Sequence, residues 1–417
     1  MQLGAAVGWP GVLQGCTSLT YLNLRCSIID APYGALVGSL SSLVHLQHLE
    51  LMPGRDVAGL SPSTLPRLQH LTYLKVKCLS DANLYQLGAL TSLQELHLWF
   101  WDDPADSHLA ASSLAGLVLP ASLKKLSLES EVGAELLSVA PAGLQHLMVN
   151  SGVYGPAEEP ESFLSCIGRL QRLTALSLNP GRYFAWLPAG PAYSALTASS
   201  DLVRLEMTGY GFSSGLWSHV FVTTRKLPQL TSLSLTVFTK PNWGGKEPIE
   251  FCAGDLSRLT SSCPSLSHIG TLCLQPRLYV SELHKLSALT SLRVYFESVG
   301  PDSFGESMRG LAAVTQLQKL RLIKSAGLTV ASLLPLTSLT TLTRLQLEKG
   351  FDNGARISLA YTSNAQVSWS GRCIRGIAVV ILHPCILNQP SGRLHHVAWC
   401  TAFTLGISGQ GSAPPAT

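Results

Sequence analysis

Along most of this chain apolar residues recur in one short pattern, Leu-x-x-Leu-x-Leu, separated by longer polar stretches with their own sparser leucines. The pattern begins at Leu19, Leu46, Leu71, Leu93, Leu123, Leu144, Leu173, Leu202, Leu230, Ile269, Leu289, Leu317 and Leu342, with Val76, Val149, Met207 and Val294 replacing the last leucine. The last two apolar positions lie two residues apart, so a strand points both to one side and turns the flanking residues to the other. Connections too long for a hairpin then return the chain to the same side, which makes successive strands parallel. Within the connections, Leu84, Leu87 and Leu90, or Leu283 and Leu286, or Phe163, Ile167 and Leu170 are spaced as in a helix or a helical turn. Each unit is too small to bury its apolar side alone, so the repeats must stack into one elongated array over residues 19–350.

This repeat resembles that of leucine-rich-repeat proteins, and the likeness covers residues 16 to about 350. It implies an α/β fold: a leucine-rich-repeat solenoid, or horseshoe, with a parallel β-sheet on the concave face and short helices or irregular segments on the convex face. Members of this family mostly bind other proteins. The family commonly places Asn or Cys three residues after the last leucine, where side chains bond between turns. Here those positions hold residues such as Ser27, Gly54, Leu79 and Trp101, so that ladder is absent. The first repeat, with Cys16, Leu19, Leu22, Leu24 and the Ile29-Asp30 pair, is similar to the cysteine-containing subclass found in F-box proteins, although Cys26 sits one position early. The phrases Leu-Thr-Ser-Leu and Leu-Thr-Tyr-Leu, at Leu71, Leu90, Leu230 and Leu289, resemble the irregular repeats of green-algal leucine-rich-repeat proteins, some of them assigned to the ciliary axoneme.

The residues flanking the strand leucines define the surface offered to a partner. The first four repeats present Tyr21, Asn23 and Arg25, then His48, Glu50 and Met52, then Tyr73, Lys75 and Lys77, then Glu95, His97 and Trp99. Tyr, Trp and Arg often dominate interface energies, so Tyr21, Arg25, His48, Tyr73, Lys75, His97 and Trp99 form the candidate partner-binding stripe. The alternative is an ordinary solvated face. Small polar residues follow at Ala175, Ser177 and Asn179, and again at Ser232, Ser234 and Thr236. The last repeats turn basic, with Lys319, Arg321 and Arg344 beside Glu348, which either meets an acidic partner segment or is solvated. The long gap before Ile269 contains Lys240 to Glu250, where Trp243 is a second candidate anchor or folds back onto the convex side.

Composition narrows the function classes. Of 417 residues 46% are hydrophobic, yet the longest apolar run in the C-terminal part, Ile377 to Leu382, is far shorter than the roughly 20 residues of a membrane span. The first ten residues lack a basic segment followed by an apolar one, so no secretory signal is expected. Ten Cys residues at irregular spacing and no Asn-x-Ser/Thr sequon favour a reducing, cytoplasmic location, with the axoneme as a further candidate. The formal charge of +4 is concentrated partly in the C-terminal segment, leaving the repeats nearly neutral and a poor attractant for nucleic acid.

Chemistry finds little support. His45 and His48 are three apart on or entering a strand and point to opposite faces, unlike a metal pair. Asp102, Asp103 and Asp106 lack the Gly and Glu of a calcium loop, and the segment around Lys246 lacks the residues of a phosphate loop. Cys373, Cys385, Cys400, His383, His395 and His396 lack zinc-ligand spacing, and no acid stands near a tail cysteine as in bacterial leucine-rich-repeat ubiquitin ligases. The sequence thus points to a protein partner, with no catalytic residue, metal, cofactor, nucleic acid, membrane or small-molecule substrate expected. Residues 1–18 read as a partial flank of a fragment whose upstream domain, an F-box being one candidate, lies elsewhere. Residues 351–417 read as a poorly ordered tail or a β-rich cap.

Overall fold

A computed structural model describes residues 13, 15–25, 39–52, 65–77, 85–99, 117–129, 134–150, 160–179, 190–209, 216–222, 224–237, 253–274, 280–296, 301–323, 333–348, 356–369 and 372–382. Two compact units divide the chain, the first comprising Met1–Leu230 with Thr236–Ile249 and the second Thr231–Leu235 with Glu250–Thr417.

In the first unit eight short strands follow one another: β1 (Tyr21–Arg25), β2 (His48–Met52), β3 (Tyr73–Lys77), β4 (Glu95–Trp99), β5 (Lys125–Glu129), β6 (His146–Asn150), β7 (Ala175–Asn179) and β8 (Arg204–Gly209). Each pairs in parallel with the next, and the leucines fall in register: Leu22, Leu49, Leu74, Leu96, Leu126, Leu147, Leu176 and Leu205 are successive partners. All are buried, as is the second column of Leu24, Leu51, Val76, Leu98, Leu128, Val149, Leu178 and Met207. A one-residue slip would turn both columns to water, so the apolar pattern fixes the register of every strand. At about 1.5–3 kcal/mol per buried side chain, these columns are the main source of cohesion between repeats.

The second unit repeats the scheme with β9 (Ser232–Val237), β10 (His268–Leu274), β11 (Ser291–Phe296), β12 (Lys319–Ile323) and β13 (Arg344–Glu348), again parallel. Two longer strands, β14 (Arg356–Trp369) and β15 (Arg372–Leu382), follow as antiparallel neighbours of β13 and of each other. Thirteen repeat strands match the thirteen copies of the motif, with one displacement. His268 and Ile269 pair with Ser232 and Leu233, so the tenth repeat runs Leu266-x-x-Ile269, three residues earlier than the motif at Ile269 places it. A break in register between Ile269 and Leu272 follows, and the bulge returns Leu272 to the column opposite Val294.

The connections are short helices and 3-10 turns. Leu87–Ala89 and Val280–Lys285 are 3-10, and Pro160–Gly168 forms an α-helix. That helix buries Leu164 and Ile167, with Leu170 just beyond, whereas Phe163 is only half-buried; the inward stripe is thus one residue off the spacing read from Phe163. The longest helix, Pro301–Ala312, starts on proline, whose missing N–H costs nothing in a first turn, and buries Phe304, Met308 and Leu311 on one face. Among the described residues no helix is long and apolar enough to cross a membrane.

Between turns, side-chain hydroxyls bond to backbone carbonyls of the preceding repeat. Thr72 Oγ1 donates to the Gln47 carbonyl, Thr174 Oγ1 to Gln145, Ser267 Oγ to Thr231 and Thr343 Oγ1 to Gln318, each at 3.1 Å. The acceptor is in each case the residue just before the preceding strand, whose carbonyl also takes two backbone N–H groups, as Gln47 does from Thr72 and Tyr73. Ser122 Oγ reaches the Leu93 carbonyl at 2.7 Å from a turn position two residues earlier. These bonds satisfy donors and acceptors that the sharp turn into each strand would otherwise strand away from water.

Candidate interaction surface on the sheet

Because side chains alternate along each strand, the residues between the leucines stand on one open face and form columns across it. The first column in unit 1 runs Tyr21, His48, Tyr73, Glu95, Lys125 and His146, and the second runs Asn23, Glu50, Lys75, His97, Ser127 and Met148. Strands sit about 4.8 Å apart, close enough for flat rings in one column to stack.

The rings do stack. Tyr21 and His48 lie 4.4 Å apart between centroids at 19°, and His48 and Tyr73 lie 3.9 Å apart at 7°. Tyr73 also meets His97, diagonally displaced, at 5.2 Å and 38°. Polar groups fix the rings in place. His48 Nε2 donates to Glu50 Oε1 at 3.1 Å, and Asn23 Nδ2 donates to the other oxygen of Glu50 at 2.7 Å. His97 Nε2 donates to Glu95 Oε1 at 3.0 Å, while Lys125 Nζ donates to Glu95 Oε2 at 3.1 Å. Burial draws the Glu95 carboxyl upward, but the hydrogen bonds from His97 and Lys125 outweigh it and hold its pKa below the ordinary value. Tyr73 sits between the carboxylates; partial burial first, then the charges of Glu50 and Glu95, push its phenol up to about 12. Burial, reinforced by Lys125 and Arg204, lowers the pKa of His146 and keeps its ring neutral more readily.

Of the residues read from the sequence as partner-binding, the structure brings Tyr21, His48, Tyr73 and His97 into ring contact. Lys75 lies between Glu50 and His97 in the second column, and Trp99 stands half-buried in the third, next to Lys77 and Glu129 by register. Arg25 ends β1, but its side chain and the whole of Trp243 lie outside the described residues, as do Asp102, Asp103, Asp106 and Lys246. His45 and His48 separate: His45 stacks on His70 at 6.0 Å, while His48 belongs to the face. The sequence reading did not anticipate Glu50, Asn23 and Glu95 as the groups that hold the rings, although their alternate spacing with the leucines carried the signal.

Two buried polar atoms on this face, Asn23 Oδ1 and Ser127 Oγ, lack a hydrogen-bond partner among the described residues. Tyr21, at the open end of the stack, is 44% exposed. Farther along, Met148 is exposed to a similar degree.

Among the described residues, the same face of unit 2 shows no such stack. Its first column runs Ser232, His268, Ser291, Lys319 and Arg344, and Arg293, Arg321 and Gln346 are successive partners in the second. A shallow cavity of about 300 Å³ opens here, lined by these basic residues with Ser234, His268, Gly270 and Ser291.

No known family pattern matches the sequence and no curated protein matches it. Among solved structures, an internalin (inlF) from Listeria monocytogenes is 20% identical, covering 83% of this chain and 89% of its own at a TM-score of 0.48. The leucine-rich repeat-containing protein LegL7 from Legionella pneumophila is 13% identical over 84% of this chain and 90% of its own, at 0.30. The ectodomain of the Arabidopsis receptor kinase HAESA, solved with a peptide hormone, is 16% identical over 79% of this chain and 56% of its own, at 0.34. The fold assignment rests on this chain's own strands: among the described residues, thirteen leucine-bearing parallel strands make it a leucine-rich-repeat fold.

Proposed function

We propose that this chain is a protein-binding scaffold or adaptor without catalysis, and that its partner is engaged by the unit 1 face around Tyr21, His48, Tyr73, Lys75, His97 and Trp99. The observation that carries this is the ring stack of Tyr21, His48 and Tyr73, held from below by Glu50 and Asn23. Aromatic groups already fixed in one geometry lose little side-chain entropy on binding, so more of their contact energy is realised as affinity. Arg25 and Trp243 belong to the proposed contact set on sequence grounds alone.

The mechanism is complementarity of shape and charge, with no bond made or broken. Substrate recognition within an F-box-type ubiquitin ligase and a structural place in the ciliary axoneme are two settings for the same adaptor, distinguished by the identity of the partner. The proposed location is cytoplasmic.

Affinity capture from native extract tests this, using the full chain against a variant carrying Tyr21→Ala, Tyr73→Ala and Trp99→Ala. A protein retained by the wild type and lost from a variant with an unchanged circular dichroism spectrum is the expected result. Identical captures by both chains would refute the assignment of the stripe.

A further inference from the structure

We propose that β15 (Arg372–Leu382), the last described strand of the unit 2 sheet, is a self-association strand that pairs antiparallel with β15 of a second copy of this chain. This interface is separate from the partner surface on unit 1, and neither reading depends on the other.

Among the described residues β15 pairs with β14 alone, and the order of strands ends there. It is 11 residues long, where β1 has 5 and β10 has 7. From Gly376 to Leu382 it reads Gly-Ile-Ala-Val-Val-Ile-Leu, with no charge and no proline. Edge strands are ordinarily kept from pairing by shortness, proline or charge, and this stretch has none of these devices. The register sharpens the point. Ile381 and Val379 partner Ile357 and Leu359, which partner Leu347 and Leu345, so this set continues the leucine columns of β13. The alternate set, Ala378 and Val380, falls through Ala360 and Ser358 in the columns of Arg344 and Gln346. Those columns carry Lys319 and Arg321 on β12 and turn apolar on β15. A continuous apolar run of this kind is the composition of a strand inside a sheet, not of one at its rim.

A second copy is the occupant because the strand is complementary to itself when run antiparallel. A register centred on Val379 sets Ile377 against Ile381, Ala378 against Val380 and Gly376 against Leu382 of the other copy. Arg372 and Arg375 both lie at the start of the strand, so the same register carries the arginines of the two copies to opposite ends. Its two-fold axis stands perpendicular to the sheet, which keeps the leucine columns of both copies on one side. The contact is isologous, and once it forms neither β15 has a free edge, so assembly stops at a dimer. A parallel pair would oppose Arg372 to Arg372 and Arg375 to Arg375, and like charges directly opposite are destabilising. Its two-fold axis would also run along the strands and turn the two leucine sides to opposite faces of the joined sheet. An unrelated partner strand would impose no such placement of the arginines.

Sedimentation velocity of the full chain over a wide range of concentrations tests this. The wild type should show a reversible equilibrium between monomer and dimer. Ala378→Lys with Val380→Lys places lysines directly opposite each other in the proposed register and should weaken dimerisation about tenfold or more. Both substitutions lie in the columns of Arg344 and Gln346, where polar residues already stand. Ala378→Glu with Val380→Glu should weaken it similarly. An equimolar mixture of the two variants should recover the dimer, a result that misfolding of either chain would not produce. A wild type that stays monomeric, a dimer indifferent to the lysines, no recovery on mixing, or growth beyond a dimer would each overturn the proposal. The Tyr21, Tyr73 and Trp99 variant should dimerise as the wild type does; loss of its dimer would move the contact to unit 1 and overturn the assignment to β15.

Discussion

The two units have cores of the same kind, each of stacked leucine columns, and differ on their faces. In unit 1 the two carboxylates beside the rings are hydrogen-bonded: Glu50 accepts from His48 and Asn23, and Glu95 accepts from His97 and Lys125. In unit 2 the corresponding columns set Arg293 against Arg321 and Lys319 against Arg344. The leucine columns beneath are equivalent, so the difference does not arise from folding requirements. The face of unit 1 presents stacked rings held by hydrogen-bonded carboxylates, and that of unit 2 presents small hydroxyls and cations.

The two cores can be broken first. Leu74→Ala beneath the ring stack and Leu292→Ala beneath the basic patch each remove a fully enclosed side chain and should each cost about 2–5 kcal/mol in urea denaturation. A large inequality between them would show that the two cores are not equivalent. The rings come next. Tyr73→Ala should cost about 1–1.5 kcal/mol through lost stacking, whereas Ser291→Ala, in the same column of unit 2, should be close to neutral.

Charge variants should then differ in sign. Lys125→Gln removes a partner of Glu95 and should destabilise by about 0.2–1 kcal/mol. Lys319→Gln relieves the like-charge register pair with Arg344 and should stabilise by about 0.5 kcal/mol, an effect that high salt erases. Thermal melts at low and high ionic strength separate the two.

The smallest effect is the pH dependence of unit 1. The folded pKa of Glu95 is depressed, so its contribution is present above the unfolded carboxyl value and is lost as pH falls through the folded one. His146 is likewise depressed, so its contribution is present above the unfolded imidazole value and fades on acidification. Tyr73 runs the other way: its contribution is present below the ordinary 10.0 and is lost as pH rises toward about 12. Glu95→Gln should therefore show its deficit at neutral pH and converge with wild type in acid, which denaturant titrations across pH would display.

Much of this was legible in the leucines. Their spacing of two fixed the strands, and the columns of Leu22 to Leu205 follow from it directly. The tenth repeat was misplaced by three residues because Ile269-x-x-Leu272-x-Leu274 matches the motif across a bulge, and a bulge leaves no mark in a string of apolar letters. The interturn bonds were hidden in plain view: Thr72 and Thr290 belong to the recurring Leu-Thr phrases, which look like style until the hydroxyls are seen reaching the carbonyls of Gln47 and Ser267. Tyr21, His48 and Tyr73 could be placed on one face from sequence, but their stacking depends on in-register pairing across repeats of unequal length. Lys319, Arg321 and Arg344 were visible as basic letters; that Gly270 accommodates the Ser234 side chain of the neighbouring strand depends on a contact a full repeat away.

The most direct test of a ring-centred binding face is site-specific photocrosslinking from the full chain in native extract. A benzoylphenylalanine placed at Tyr73, inside the stack, is compared with one at Ser177, on the small polar stretch of the same face. A discrete protein adduct from the first position and none from the second is the result expected here. Equal adducts from both positions, or an adduct from Ser177 alone, would contradict it.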